Sequence, residues 1–270
     1  MSPLALASAA VAVWLFARGF VRLRRRRAGL VGWDRVALFS VALAAWLVAF
    51  SDRLDTLADT SLSAHMFQHL LIGDVVPALG LLAVRGPLLF FVTPVTVLRA
   101  VARSPRTRGV LAFLTRPLPA LGIWVATLAV WHVPALYDAT LESAPLHLFE
   151  HWTFLLGGTL AWIQVVDPAR RGRLTTVGRL GFVLGMFVVG QAIATTLVVS
   201  PGPIYGAYAG VAARLFGMDA LADQRGAGLT MMFVELVALG LAAGFLVRRH
   251  VHETIDAAEA SAAPEHPLVA

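Results

Sequence analysis

The chain has 270 residues, of which 58% are hydrophobic and 14% charged, and its mean hydropathy is +0.75. Because soluble domains carry about 25% charged residues, this composition excludes a soluble fold and predicts a polytopic membrane protein. The net charge of +6 comes from arginines in short loops between apolar runs, a pattern of membrane orientation that argues against nucleic-acid binding. Cysteine is absent, which excludes disulfides and thiolate metal sites and leaves histidine, methionine and carboxylate as possible ligands.

Seven apolar runs, each near the length of a transmembrane helix, divide the chain. They cover residues 3–21, 35–50, 65–84, 117–137, 145–166, 180–199 and 227–247. No positive charge precedes the first run and RLRRRR follows it, the reverse of a secretory signal peptide, so a retained span is predicted. We therefore predict an all-α bundle of seven transmembrane helices over residues 1–250, followed by a disordered cytoplasmic tail over residues 251–270.

The arginines between these runs predict the orientation of the bundle. Eighteen fall in the loops that alternating helix direction places on one side, and three fall on the other side. The three are Arg53, Arg214 and Arg225, while Arg18 lies within the first run. Since arginine is concentrated in cytoplasmic loops, the N-terminus is predicted outside and the C-terminus inside.

Residues 86–104 continue past the third run and do not read as a simple span. They contain prolines at positions 87 and 94, and Pro94 after Thr93 is typical of the start of a helix. We predict a short amphipathic helix here, lying on the inner surface of the membrane.

Five histidines lie at the predicted outer face of the bundle. They are His65, His69, His132, His147 and His151. In HMFQH (65–69) and HLFEH (147–151) two imidazoles are four residues apart, which places them on one helix face about 6 Å apart. A single interfacial histidine is more often a hydrogen-bonding group, but paired imidazoles at this spacing hold metal in helical zinc sites. The five histidines are therefore predicted to form a metal or cofactor site.

Four further polar residues are candidates for function. Asp74 and Glu235 fall inside predicted spans, where charge is costly and functional candidates are expected. The alternative is that they are protonated and bond to a neighbouring helix. Asp223 and Gln224, in LADQRGAG, lie at the predicted outer mouth, where Asp223 is expected to cap the last helix.

Three kinds of site compete for these residues. HLFEH matches the inverted zinc protease signature, with Glu150 as general base, although adjacent helical side chains such as Glu150 and His151 diverge by about 100°. A haem held by His132 and His69 is a second possibility, but a second histidine one turn away is then superfluous and no haem-attachment sequence is present. Copper, which imidazole ligates well, is the third and favoured interpretation.

Three separated segments carry a resemblance to a known family. They are HMFQHLLIGDVVPALGLL, WHVPALYDATLESAPLHLFEHWTFLLGG and IYGAYAG…DALADQRGAGLTMM. Together they resemble the CtaG family of multi-span cytochrome c oxidase assembly factors, which are associated with caa3-type oxidases. The resemblance extends from about residue 34 to residue 247. A single-span copper chaperone shares the family name but uses cysteines, so this cysteine-free chain does not resemble it.

The resemblance implies a non-enzymatic assembly factor in the bacterial plasma membrane that helps to form active haem–copper oxidase. Copper is the expected cofactor, and cytochrome c oxidase subunits or their copper-delivery proteins are the expected partners within the lipid bilayer. The positions that match the family are His65, His69, His132, His147, Glu150, His151, Asp223 and Gln224. We expect the histidines to be metal ligands and the other three residues to support them.

Overall fold

The computed structural model describes residues 3–211 and 217–262, which are 85% helical and contain no strand. The predicted all-α class is therefore confirmed for the described chain. The helices of the first half are α1 (Pro3–Arg26), α2 (Asp34–Ala49), α3 (Asp52–Ala58), α4 (Leu62–Leu70), α5 (Val76–Val84), α6 (Pro87–Val92), α7 (Val95–Arg103) and α8 (Pro105–Leu114). Those of the second half are α9 (Pro117–Trp131), α10 (Pro134–Glu142), α11 (Ala144–Val166), α12 (Thr176–Val199), α13 (Gly206–Ala209) and α14 (Ala220–Ala262).

Four helices of the described chain are long and apolar enough to cross a membrane. They cover Pro3–Arg26, Leu62–Val84, Thr176–Val199 and Ala220–Asp256. The number rises to six if two bent pairs, α2 with α3 (53°) and α8 with α9 (70°), each count as one span. The chain is therefore a multi-pass membrane protein, and the exact count of seven spans stays a prediction.

Every predicted run except the fourth lies within one helical span to within one residue, although the helices extend up to 15 residues beyond the runs. The run 117–137 breaks after α9, which ends at Trp131, and α10 begins at Pro134. Proline has no N–H to donate into a preceding turn, so the helix cannot continue through this position. His132 consequently forms the C-cap of α9.

The structure contains the helix predicted in the segment after α5, but it differs from the prediction for the C-terminal tail. The helix predicted to start at Pro94 is confirmed as α7, with Pro94 as its N-cap residue. The predicted disorder of the tail is wrong for residues 251–262, where α14 continues to Ala262. Alanine and glutamate have high helix propensity, so their abundance there favours helix rather than disorder. Residues 263–270 lie outside the described residues.

The span Leu62–Val84 contains a π-helical turn at its centre. α4 passes into α5 through Leu71–Val75, and such turns are frequent at functional sites. The carbonyl oxygen of Gly73 in this turn faces α11 so closely that a Cβ on Gly158 would overlap it. The missing side chain at Gly158 therefore lets the two histidine-bearing helices cross in direct contact.

The bundle has two chemically different ends. The main apolar core lies in its middle and includes Trp124, Phe154 and Trp162. We call the end formed by the N-terminal turns of α4 and α11 the histidine end. We call the opposite end of the same helices, formed by residues 85–86 and the loop 167–175, the arginine end. At 1.5 Å per residue the two ends are roughly 30 Å apart along the helix axis.

Candidate metal centre

Four side chains from two helices meet inside the histidine end. α4 provides His65 and His69, α11 provides His147 and Glu150, and one ligand-type atom of each lies within 4.8 Å of the others. We call these four side chains the His/Glu group. The Nε2 atoms of His65 and His69 are 3.0 Å apart, and Nε2 of His69 is 3.7 Å from Oε1 of Glu150. Three of the four side chains are buried and His147 is half-buried, so the group is largely shielded from bulk water.

The helix spacing explains which residues of HLFEH enter the group. His147 and Glu150 are three residues apart, and residues at that separation share a helix face. His151 lies beside the group, with its ring 4.2 Å from that of His147 and 5.3 Å from that of His69. Its Nε2 atom is buried without a protein partner. Both predicted pairs therefore converge, with His151 adjacent to the four closest side chains.

The hydroxyl group of Tyr208 fixes the tautomer of His65. The Tyr208 hydroxyl donates to the carbonyl of Ala58 at 2.6 Å, and Nδ1 of His65 lies 3.2 Å from the same hydroxyl oxygen. Because the single hydroxyl proton of Tyr208 is committed to a carbonyl, Nδ1 of His65 must be the donor to Tyr208. The neutral imidazole then presents a bare Nε2 toward His69 and Glu150, which is the form that ligates metal.

The carboxylate of Glu150 is poorly supplied with hydrogen-bond donors. Neither of its oxygens accepts a well-formed hydrogen bond from a described residue. The Thr140 hydroxyl lies near it but donates to the carbonyl of Tyr137 at 2.7 Å. Nε2 of His147 and Nδ1 of His69 are likewise buried without partners. Buried polar atoms are almost always satisfied, so a bound water or ion is expected beside these atoms.

Asp223 reaches the site from the first turn of α14 and holds α4 in place. Its carboxylate accepts the Ser61 hydroxyl at 2.9 Å and the N–H of Leu62 at 2.7 Å. It also accepts the N–H of Ser63 at 3.1 Å. A carboxylate at a helix N-terminus satisfies free N–H groups and balances the positive helix end. Asp223 therefore positions the helix that carries His65 and His69.

The prediction that Asp223 caps the last helix is wrong. Asp219 fills that role, since its Oδ1 atom accepts the N–H of Ala222, whereas Asp223 caps a different helix. Gln224 accepts the N–H of Ile204 at 2.6 Å and so ties the loop after α12 to α14. Both residues support the histidine end, but through its backbone.

His132 stands apart from the His/Glu group. Its Nδ1 atom lies 2.8 Å from the carbonyl of Leu128, so Nδ1 carries the proton and the buried Nε2 atom is bare. His132 lines a cavity of about 30 Å³ with His69, Asp74 and Glu235. The five predicted ligands are thus divided between the region around the His/Glu group and this small cavity below it.

Asp74 and Glu235 each bond to a neighbouring helix, as the alternative interpretation expects. Oδ1 of Asp74 accepts the indole N–H of Trp162 at 3.1 Å, and Oε2 of Glu235 accepts the amide of Gln191 at 3.3 Å. Both carboxyl groups are buried. Their shared cavity places them directly beneath the histidines.

Sequence reasoning missed three buried residues of the histidine end. Tyr208 and Tyr137 lie within the quoted motif segments, but tyrosine in these positions does not indicate a metal ligand. In the structure the Tyr137 hydroxyl lies 3.2 Å from that of Tyr208. Gln68 sits between the two histidines of α4 and donates to the Ala49 carbonyl at 2.7 Å. A glutamine on the buried face of a histidine pair was the available signal, since such a residue must find internal partners.

The donor set of the His/Glu group is chemically specific. Three imidazoles and one carboxylate supply nitrogen and oxygen ligands, which suit Cu(II) or Zn(II) and are unlike the all-oxygen sets of Mg²⁺ and Ca²⁺. The rigid helices, the cap from Asp223 and the Tyr208 hydroxyl hold these ligands in place. The residues therefore fit a transition-metal ion.

Comparison with known proteins assigns the chain to a family. The family model of the cytochrome c oxidase caa3 assembly factor (Caa3_CtaG) matches residues 14–253. The match covers most of the chain and all members of the His/Glu group, so the chain belongs to this family. No curated protein and no solved structure matches the chain.

Proposed function

We propose that this member of the caa3 assembly factor family binds copper in the His/Glu group and thereby supports formation of the copper centres of cytochrome c oxidase. The observation that carries the proposal is the buried Glu150 carboxylate facing three imidazoles. A buried ionised carboxylate is costly unless a cation accompanies it. One metal ion would balance this charge and accept the nitrogen lone pairs at the same time.

The family assignment and the order of metal affinities, rather than the geometry of the site, favour copper over zinc. The family serves a haem–copper oxidase, and Cu(II) binds nitrogen and oxygen donors more tightly than Zn(II) in the Irving–Williams order. In this proposal copper is the cargo of the protein. Oxidase subunits or copper-delivery proteins are its partners, and no catalytic step is assigned to the chain.

The proposed topology has seven spans, with the N-terminus outside. α11 completes the seven, since its 23 residues are long enough to cross the hydrocarbon core. The polar side chains of HLFEH lower its mean hydropathy, but His151 and Glu150 are buried in the bundle. The eighteen-to-three distribution of arginines supports an outer histidine end. Copper would then be received on the outer side of the bacterial plasma membrane.

The two competing functions receive less support. The cavity beside His69 and His132 is about 30 Å³, whereas pockets for organic cofactors are about 300–1,000 Å³, so a haem between these residues is disfavoured. A protease would need Glu150 beside a water-accessible cleft, but its side chain is fully buried and faces the histidines of α4.

Metal titration of the purified full-length protein tests the proposal. Cu(I), Cu(II) and Zn(II) are titrated against a chromophoric chelator, and one copper ion per chain is expected. His69→Ala and His147→Ala should each lower copper affinity by more than about 100-fold, because outer partners of ligands alone cost 10–100-fold. His252→Ala, an exposed histidine of α14, is the matched control and should bind as the wild type does. Unchanged binding in both site variants would reject the proposal.

A further inference from the structure

A second, much larger cavity opens at the arginine end. Its volume is about 1170 Å³, and it lies between α5, α11, α12 and α14. Ala78, Val165, Leu241 and Phe245 belong to its walls. These side chains come from membrane-spanning helices and are apolar, so the cavity is suited to hydrocarbon rather than to a soluble metabolite.

The rim of the cavity carries four arginines, and the acidic groups beside them are already engaged. Arg85, Arg170, Arg179 and Arg249 line it. Asp167 accepts Nη2 of Arg179 at 2.8 Å, and Glu253 accepts Nε of Arg249 at 2.6 Å. Two arginines of the rim, Arg85 and Arg170, form no ion pair with a carboxylate among the described residues.

The Asp167 carboxylate is committed to its own loop. It accepts the N–H of Arg171 at 2.8 Å and the N–H of Gly172 at 3.1 Å, besides the guanidinium of Arg179. Burial tends to raise the pKa of Asp167, but these three hydrogen bonds outweigh burial and lower it. Asp167 therefore organises the loop and leaves Arg170 without a carboxylate partner.

The unpaired arginines form a positive cluster with Arg35. The charges of Arg85 and Arg170 both repel that of Arg35, whose only carboxylate contact within residues 3–211 and 217–262 is the exposed Asp34 at 3.1 Å. Like charges held together in this way are unfavourable unless an anion joins them. The cluster is thus incomplete without a negatively charged partner.

The backbone of the rim is shaped to present Arg170. Asp167 and Arg170 adopt positive φ angles of 48° and 52°, which are uncommon for residues other than glycine. The N–H of Gly86 donates to the carbonyl of Pro168 at 2.7 Å and ties this loop to the end of α5. Unfavourable backbone conformations of this kind persist where the surrounding structure requires them and often mark ligand-binding positions.

We propose that this cavity binds an anionic phospholipid, with the phosphate between Arg85 and Arg170 and the acyl chains against the apolar walls. Guanidinium groups form strong paired hydrogen bonds to phosphate, and basic pockets between transmembrane helices bind anionic headgroups. A zwitterionic lipid would fill the walls but bring its own cation to the rim. Free phosphate would satisfy the rim but leave the apolar walls in contact with water. The proposal is independent of copper binding.

Native mass spectrometry of the full-length protein, delipidated in maltoside detergent, tests the proposal with three probes. These are dioleoyl phosphatidylglycerol, dioleoyl phosphatidylcholine and inorganic phosphate. Phosphatidylglycerol is expected to occupy one site at a concentration about tenfold lower than phosphatidylcholine. Arg85→Gln/Arg170→Gln should remove this preference, while the exposed pair Arg103→Gln/Arg106→Gln, a matched loss of two charges, should keep it.

A wall variant tests the acyl-chain half of the site. Ala242→Phe fills part of the cavity and should weaken both lipids while leaving the charge of the rim unchanged. Arg170→Gln alone changes an exposed side chain and serves if the double variant fails to fold. Equal occupancy by the two lipids, or a preference that survives loss of Arg85 and Arg170, would overturn the proposal. So would displacement of phosphatidylglycerol by millimolar inorganic phosphate, which would identify a free-anion site.

Discussion

The histidine end and the arginine end carry unpaired charged groups of opposite sign. At the histidine end, the Glu150 carboxylate is buried among neutral rings and lacks a cation. At the arginine end, Arg85 and Arg170 lie at an open rim and lack an anion. Two helical elements connect the two ends: the span formed by α4 and α5, and helix α11. We therefore propose that the bundle holds a different ligand at each of its two ends, and the predictions below alter one end without the other.

The largest expected effect comes from removing the buried acid. Glu150→Leu should lower copper affinity by more than about 100-fold, because a ligand and the balancing charge are lost together. The same change should stabilise the metal-free protein, since an unsatisfied buried carboxylate gives way to an apolar group; each kcal/mol gained raises the unfolding midpoint by about 2–4 °C. Copper titration and thermal unfolding in detergent measure the two effects.

Glu142, an exposed acid of α10, provides the control for both the copper affinity and the stability of the Glu150 variant. Glu142→Leu should change neither copper affinity nor the unfolding midpoint appreciably, because this side chain is exposed. A metal-free Glu150→Leu protein that is less stable than wild type would mean that Glu150 is already paired, and the charge argument for the histidine end would fail.

The next effect concerns the crossing that assembles the histidine end. Gly158→Ala would place a methyl group against the Gly73 carbonyl, so α4 and α11 must separate. We expect a loss of about 1–3 kcal/mol in stability and weaker copper binding, while the preference for anionic lipid at the other end persists. Gly181→Ala is the control, since its Cβ would meet no atom within 4 Å and helical alanine is favoured over glycine. Wild-type stability of Gly158→Ala would show that the two helices do not cross as described.

A smaller effect is expected from the hydroxyl that orients His65. Tyr208→Phe keeps the ring but removes the acceptor of the Nδ1 proton, so copper affinity should fall by about tenfold, as for other supporting partners of metal ligands. Tyr205→Phe removes a hydroxyl whose contact to the His132 carbonyl is long, 3.5 Å, and should leave affinity unchanged. An equal response of the two variants in the same titration would argue against a specific role for Tyr208.

The smallest effect is a pH dependence at the arginine end. Hydrogen bonds lower the pKa of Asp167 below its ordinary value of 3.8, against the effect of burial. Its contribution to stability is therefore complete above that value and is lost as pH falls through the lowered pKa. Asp167→Asn should therefore unfold with a flatter acid-side pH profile than wild type. Parallel profiles of wild type and Asp167→Asn would contradict the described loop.

Local rules in the sequence predicted most of the helices and part of the site. The i, i+4 spacing brought His65 beside His69, and the same helix geometry at i, i+3 explains why Glu150 enters the group with His147. The contact between Asp223 and Ser61 spans 162 residues, and that between Tyr208 and His65 spans 143. No periodicity encodes such contacts, because they depend on how the helices pack. The π turn at Asp74 likewise has no signature in an apolar run.

The central claim is that three imidazoles and a carboxylate bind copper at the histidine end. X-ray absorption spectroscopy at the copper edge, on purified full-length protein loaded with one equivalent of copper, tests it most directly. The account predicts nitrogen and oxygen neighbours with the multiple-scattering pattern of several imidazoles, and loss of that pattern in the His65→Ala/His147→Ala variant. A spectrum dominated by sulfur from methionine, or an imidazole pattern unchanged in that variant, would contradict it.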